Sequence, residues 1–72
     1  MTEIAGNTKS GVVTAFDEYV ALGEITDNVG TVWPFHCVSI ADGSRTIEVG
    51  AHVQFETRFH VARHEAVNIR PQ

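Results

Sequence analysis

The histidines and the single cysteine are the residues whose types first suggest chemistry. His36 and Cys37 are adjacent, and His52, His60 and His64 follow. Neighbours on a strand point to opposite faces, so His36 and Cys37 cannot chelate one ion together without a bulge. The spacing of a CxxC or helical HxxxH zinc site is absent as well. We therefore expect no metal site, and we expect Cys37 to be a buried structural thiol rather than a nucleophile.

The carboxylates do not indicate catalysis any more strongly than the histidines and the cysteine do. Asp17 with Glu18, or Glu24 with Asp27, are close enough in sequence to be considered as an acid and a base. Such a pair needs environments that separate two pKa values, and nothing in the sequence supplies them, so solvated surface carboxylates are expected. No phosphate-binding loop and no Ser–His–Asp arrangement is supported. We expect no enzyme, no catalytic residue and no cofactor.

A basic and aromatic run near the carboxyl end is the best candidate for a binding patch. It contains Arg58, Phe59, His60, Arg63 and His64, and we place Phe59 to Arg63 on a loop between the last two strands. In that setting the arginines would hold the phosphates of a nucleic acid, and Phe59 would stack on one of its bases. A soluble loop with scattered charge explains the same residues, so both interpretations stay open.

Length and composition indicate one small domain. A chain of 72 residues with 43% hydrophobic and 19% charged residues fits a globular fold of marginal stability. One cysteine excludes an intrachain disulfide and fits a reducing compartment. No apolar run approaches the length of a membrane span, and the first ten residues do not have the pattern of a signal peptide. We therefore expect a cytoplasmic protein with no membrane partner.

The charge distribution argues against a strong polyanion binder. The formal net charge is −4. Residues 1–36 contain one basic residue, Lys9, against five acidic ones, whereas residues 37–72 contain four arginines against four acidic ones. The acidic excess therefore lies in the first half of the chain.

The elements that must position these residues are five short strands. Turn-forming residues divide the chain into strands at Gly11–Phe16, Val20–Thr26 and Thr31–Cys37, a fourth around Val53–Thr57 that Thr46–Gly50 leads into, and a fifth at Glu65–Arg70. Residues 1–10 carry no periodic pattern and are predicted to be a flexible tail before a domain of residues 11–72. Turns every 8–12 residues favour a small barrel over a sandwich.

Particular residues give this arrangement detail. Gly23 predicts a bulge or sharp bend in the second strand, and Asp27–Gly30 predicts a tight hairpin. Pro34 cannot donate a ladder hydrogen bond, which predicts an open side on the third strand. In the fifth strand, Val67 and Ile69 are expected to point inward.

The order of these strands resembles the cold-shock domain, a five-stranded antiparallel barrel of the oligonucleotide-binding (OB) fold. The resemblance covers Gly11 to Pro71 and depends on several groups of residues, namely Gly11-x-Val13-x-x-Phe16, Leu22-Gly23-x-Ile25, His36, Val49-Gly50-x-x-Val53-x-Phe55 and Ala66-Val67-Asn68-Ile69. It implies an all-β fold and single-stranded DNA or RNA as the ligand.

The chain departs from the family at most of the base-stacking positions. The family's aromatic residues are replaced by Ala15, Leu22, Glu24, Pro34 and Cys37. Each stack contributes about 1–3 kcal/mol, so five would contribute on the order of 5–15 kcal/mol. Non-specific nucleic-acid binding totals about 5.5–8 kcal/mol. The resemblance therefore implies binding that is weakened or altered in mode.

Two registers are open for the third strand. If His36 keeps the position that the resemblance implies, Trp33 and Phe35 point into the core while Pro34 and His36 point out. A slip of one residue would exchange the faces and expose Trp33 for stacking. A chain this small needs large apolar side chains inside, which favours the first register.

The sequence leaves two functions to compare. The first is a single-stranded nucleic-acid-binding protein of weakened or altered mode. Its expected binding residues are Phe16, His36, Arg58, Phe59 and Arg63. The second is a diverged OB-fold barrel that binds a protein partner instead of nucleic acid, which the acidic first half favours. We expect a monomer in either case.

Overall fold

The computed structural model describes residues 8–60 and 63–72, and for Phe59, His60 and Arg63 it describes the backbone alone. Five strands make one antiparallel sheet. They are β1 (Lys9–Asp17), β2 (Leu22–Asp27), β3 (Val32–His36), β4 (His52–His60) and β5 (Arg63–Pro71), with a 3-10 turn at Cys37–Ser39. The all-β prediction is confirmed. No helix within the described ranges is long and apolar enough to cross a membrane.

The prediction of a closed barrel is wrong, because the sheet is open. The strand order is β3-β2-β1-β4-β5, so β3 and β5 are the two edges of an open sheet. The edge position of β3 agrees with Pro34, which lacks an N–H for the ladder. The segment after β3 approaches β5 instead: Ile40 and Ile69 form an isolated parallel bridge, and the Ala41 N–H donates to the Ile69 carbonyl at 2.7 Å.

A small apolar core lies inside the curved sheet. Its buried members come from every strand and from the segment after β3: Val13, Ile25, Phe35, Cys37, Ile40, Val53, Phe55, Ala66 and Ile69. Phe35 is 2% exposed and Trp33 is half-buried against this core, whereas His36 is exposed. The register in which Trp33 and Phe35 point inward is therefore confirmed.

Gly23 has a different role from the predicted one. It lies in regular register, opposite Phe16 on β1 and Phe35 on β3. A Cβ at this position would lie 2.5 Å from the Phe35 ring and 2.7 Å from the Ala15 carbonyl oxygen, so the residue permits close packing rather than a bulge. The irregularity is in β1 instead, where Thr14 is the extra residue between the pairs Val13–Ile25 and Ala15–Glu24.

The hairpin between β2 and β3 is as predicted. Asp27 Oδ1 accepts hydrogen bonds from the backbone N–H groups of Val29 and Thr31, at 3.0 and 2.9 Å. Gly30 has a φ of 88°, which glycine adopts without steric cost. This turn fixes the register of β3 and therefore which of its side chains face outward.

The hairpin between β4 and β5 differs from the sequence prediction, which placed a loop there. Phe59 to Arg63 were predicted to be a loop, but Phe59 pairs with His64 and His60 pairs with Arg63, so the strands continue to the turn. The alternation that begins at Val53 extends through Phe59, which favours a paired strand there.

The inward residues of β5 are also corrected. Ala66 and Ile69 are buried, whereas Val67 is half-buried. The register passes from Gln54–Arg70 to Glu56–Val67, so β5 holds an extra residue near Asn68, whose φ is 53°. This bulge changes the phase of the alternation.

The amino-terminal boundary is earlier than predicted. Lys9 and Ser10 belong to β1 and pair with Phe55 and Gln54 of β4, so the last two residues of the predicted tail lie in the sheet. Thr8 of that tail precedes β1, and residues 1–7 lie outside the described residues.

Candidate functional site

The outward face of β1, β2 and β3 presents two parallel rows of side chains. Ala15 pairs with Glu24, and Glu24 pairs with Pro34, which makes the first row. The second row is Asp17, Leu22 and His36. Residues directly opposite on antiparallel strands share a face, and so do residues two apart on one strand. These six side chains are therefore a continuous surface, which we call the outer grid.

The outer grid lines an open groove of about 660 Å³. Its remaining lining residues are Phe16, Gly23 and Phe35 from the row between, and Glu65 from β5. Leu22 is 46% exposed and Pro34 is half-buried, which gives the groove an apolar floor. A groove of this kind has room for one flat ring against Leu22 and Pro34.

The groove is acidic. Its acidic lining residues are Asp17, Glu24 and Glu65, and His36 lines it as well. No lysine or arginine is found among the described residues that line it. Phosphate groups would be repelled from this surface, so an anionic ligand must place its charge elsewhere.

Phe16 and His36, two of the predicted site residues, both line the groove. The His36 side chain is exposed and lies across from Leu22. The Phe16 ring is half-buried and stacks on Phe35, with centroids 6.0 Å apart and planes at 10°. One face of Phe16 is thus occupied by the core, and the ring can offer a ligand its other face or its edge.

The structure separates Arg58 from that pair. Arg58 is exposed on β4 and pairs across the hairpin with Glu65, but it does not line the groove. The backbones of Phe59 and Arg63 belong to the same hairpin, whereas their side chains lie outside what is described. The predicted basic patch is therefore on the β4–β5 hairpin, of which Glu65 reaches the groove.

A second cluster, which the sequence analysis did not find, surrounds Trp33. The indole Nε1–H donates to Asp27 Oδ2 at 2.9 Å, and Lys9 Nζ lies 5.5 Å from the ring centroid. His64 contacts the same ring edge-on at 6.2 Å between centroids. The indole hydrogen bond lowers the pKa of Asp27, and the N–H groups of Thr31 and Val29 add to the effect. This cluster joins the β2–β3 turn to β1 and β5.

A third polar cluster is structural. Glu56 accepts hydrogen bonds from Asn68 Nδ2 at 2.6 Å, from Thr8 Oγ1 at 3.0 Å and from Arg70 Nη2 at 2.9 Å. These contacts, with Arg70 first, lower the pKa of Glu56 to about 2, although partial burial opposes them. The cluster fastens the start of β1 and the bulge of β5 to β4.

Within residues 8–60 and 63–72, no group of three or more histidine, cysteine, aspartate or glutamate residues is arranged to hold a metal ion. Cys37 is a buried free thiol at the start of the 3-10 turn. His36 precedes it and is exposed on the other face.

The cluster around Trp33 was predictable from the sequence in part. An inward tryptophan needs a partner for its indole N–H, and Asp27 at the hairpin entry was an available acceptor. Glu65 gave no such signal, because its place at the groove depends on how β5 lies against β1–β3.

No protein-family model matches the chain, and no curated protein matches its sequence. Among solved structures, the chain is similar to a cold-shock domain structure described as Drosophila Unr CSD456, with a TM-score of 0.76 and 21% sequence identity. The match covers 96% of this chain and 29% of that one, so the chain spans less than a third of its length. The likeness confirms the cold-shock-domain fold that the anchor residues indicated.

Proposed function

We propose that this protein is a single-stranded nucleic-acid-binding module. The groove lined by the outer grid holds one base, and the overall affinity is low. The observation that carries the proposal is the meeting of Phe16 and His36 at one groove with an apolar floor. The resemblance implies that His36 keeps a binding position of the family and that Phe16 lies at the edge of the binding surface. The cold-shock-domain structural neighbour supports nucleic-acid binding as the general class of function.

The low affinity follows from the composition of the outer grid. Ala15, Leu22, Glu24 and Pro34 offer no aromatic face to a base. Each missing stack removes about 1–3 kcal/mol, which is large against the roughly 5.5–8 kcal/mol of non-specific binding. This surface can therefore bind one base in the groove, with hydrogen bonds from His36.

The phosphates of the ligand would be held on the β4–β5 hairpin. Arg58 is exposed there, and Arg63 follows on the same hairpin. An arginine contact to a phosphate supplies affinity without reading sequence. In this arrangement the backbone of the ligand avoids the acidic groove while one base turns into it.

Titration of a fluorescein-labelled nonathymidine tests the proposal by anisotropy at two salt concentrations. We expect Kd to rise steeply with salt, because phosphate contacts release counterions. His36→Ala is expected to weaken binding, and the matched control His52→Ala, an exposed histidine of β4 outside the groove, is expected to leave it unchanged. A Kd that does not respond to salt or to His36→Ala would contradict the proposal.

A protein-interaction module is the second candidate, and the three groove carboxylates favour it. They stand beside Leu22, while Val20 and Val38 expose 54% and 80% of their surface. Such a surface suits a cationic partner segment with an apolar side chain. If a basic peptide binds to the groove and no oligonucleotide binds at all, this candidate replaces the first.

We also propose that the protein acts as a cytoplasmic monomer. The buried free thiol of Cys37 is compatible with a reducing compartment. Sedimentation or light scattering at micromolar concentration tests the monomer, and a dimer mass would contradict it.

A further inference from the structure

Glu24 occupies the centre of the outer grid. It lies on β2 between Ala15 of β1 and Pro34 of β3, and its side chain is exposed. Neither neighbour carries a side-chain hydrogen-bond donor. In the part of the chain that the structure describes, the Glu24 carboxylate has neither a hydrogen bond nor an ion pair. Both of its oxygens are therefore open to a ligand.

An ionised carboxylate accepts hydrogen bonds and donates none. It discriminates among bases because their Watson–Crick edges differ. Guanine presents two adjacent donors, N1–H and the C2 amino group, which can meet the two oxygens of one carboxylate. Adenine, cytosine and thymine each place an acceptor beside their donor, and that acceptor would face a carboxylate oxygen.

We propose that Glu24 makes the groove selective for guanine in a single strand. This inference rests on the proposed function, because it requires that a base enters the groove. The apolar surfaces of Leu22 and Pro34 support the flat ring, and Glu24 accepts from its Watson–Crick edge. The carboxylate that prevents stacking at this position thereby provides base recognition.

The acidity of the groove agrees with this role. Asp17 lies on the same surface and repels phosphate, so the strand must present a base there. The donor-rich edge of guanine is the base edge best matched to a negative potential. A pair of parallel hydrogen bonds to one base contributes discrimination of at least about five-fold.

The test compares three nonamers at low salt and neutral pH. Each has thymidines on both sides of a central guanine, hypoxanthine or adenine, and Kd is measured by anisotropy. We expect the guanine strand to bind about five- to ten-fold more tightly than the adenine strand. Hypoxanthine lacks the C2 amino group and keeps N1–H, so its strand should have an intermediate affinity.

Glu24→Gln is the diagnostic variant, because it retains the size of the side chain and replaces one acceptor by a donor. It should bring the guanine-to-adenine ratio close to one. Glu48→Gln is the matched control: it removes the same charge from an exposed position between β3 and β4, away from the groove. It should leave the ratio unchanged.

Three results would overturn the inference. Equal affinity of the wild-type protein for the three strands would overturn the role of Glu24 and leave the proposed function standing. A guanine-to-adenine affinity ratio that is unchanged in Glu24→Gln would also overturn the role of Glu24 and leave the proposed function standing. Absence of binding to any strand would overturn the inference and the proposed function together.

Discussion

Acidification should weaken the fold through Glu56 in particular. This carboxylate joins three parts of the sheet, through Thr8 before β1 and through Asn68 and Arg70 on β5. Its pKa is lowered from the usual 4.5 to about 2, chiefly by Arg70. Since the folded pKa is the lower one, the stabilisation is present above pH 4.5 and is lost as the pH falls towards 2.

The size of the effect follows from the two pKa values. The difference between 4.5 and about 2 corresponds to about 3 kcal/mol at most. The side chains of Arg70 and Glu56 are 32% and 18% exposed, so solvent screens the pair. A contribution of about 1–2 kcal/mol is the value we expect after that screening.

Urea unfolding followed by the fluorescence of Trp33 measures this contribution. The free energy of unfolding is determined at pH 6 and at pH 3 for the wild type and for Glu56→Gln. The wild type should lose about 1 kcal/mol more than the variant between the two pH values, because at pH 3, above the folded pKa of about 2, part of the contribution remains. Asp27 and Asp42, whose pKa values are also lowered, are present in both proteins, so their effects cancel in the comparison.

Glu48→Gln serves as the control, because it removes a carboxylate from an exposed loop. It should retain the pH dependence of the wild type. The same loss of stability in wild type and Glu56→Gln would refute the argument, since the dependence would then arise elsewhere.

Two further predictions concern the groove. Gly23→Ala should lower the free energy of unfolding by about 1–3 kcal/mol, because the new Cβ would meet the Phe35 ring; urea unfolding measures it, and unchanged stability would contradict the packing. Leu22→Phe should tighten oligothymidine binding at least about five-fold in anisotropy by restoring one stack, and an unchanged Kd would show that no base reaches this position.

The strands of the first half could be predicted because local signals agree there. Asp27 and Gly30 specify the turn, Pro34 marks an edge, and Phe35 supplies the inward bulk. Each is a property of one residue or of a short pattern. The register of β3, which decides that His36 faces out, follows from them.

The second half of the chain was harder to predict, because the bulge in β5 depends on tertiary contacts. Asn68 adopts a positive φ that asparagine tolerates, while its side chain donates to Glu56 on the neighbouring strand. Nothing local separates this asparagine from one in a regular strand. The prediction that Val67 points inward was therefore wrong, although Ile69 was placed correctly.

Two of the residues that line the groove were candidates from the sequence, but the surface around them could not be predicted. The resemblance placed Phe16 and His36 together, and the structure brings both to the groove. It did not indicate that Phe16 would stack on Phe35, or that Glu65 would line the same groove. Such contacts depend on how the strands lie against one another, which single-residue propensities do not determine.

The most direct test of the account is an amide-shift titration of labelled protein with a short single-stranded oligothymidine at low salt and neutral pH. Shifts are expected on the amides of Ala15 to Asp17, Leu22 to Glu24, and Phe35 and His36, with a smaller set around Arg58. The amide signals of Glu56 and Arg70, whose side chains belong to the structural cluster, should not shift. Absence of shifts at millimolar oligonucleotide would contradict the account and would direct attention to a protein partner for the groove.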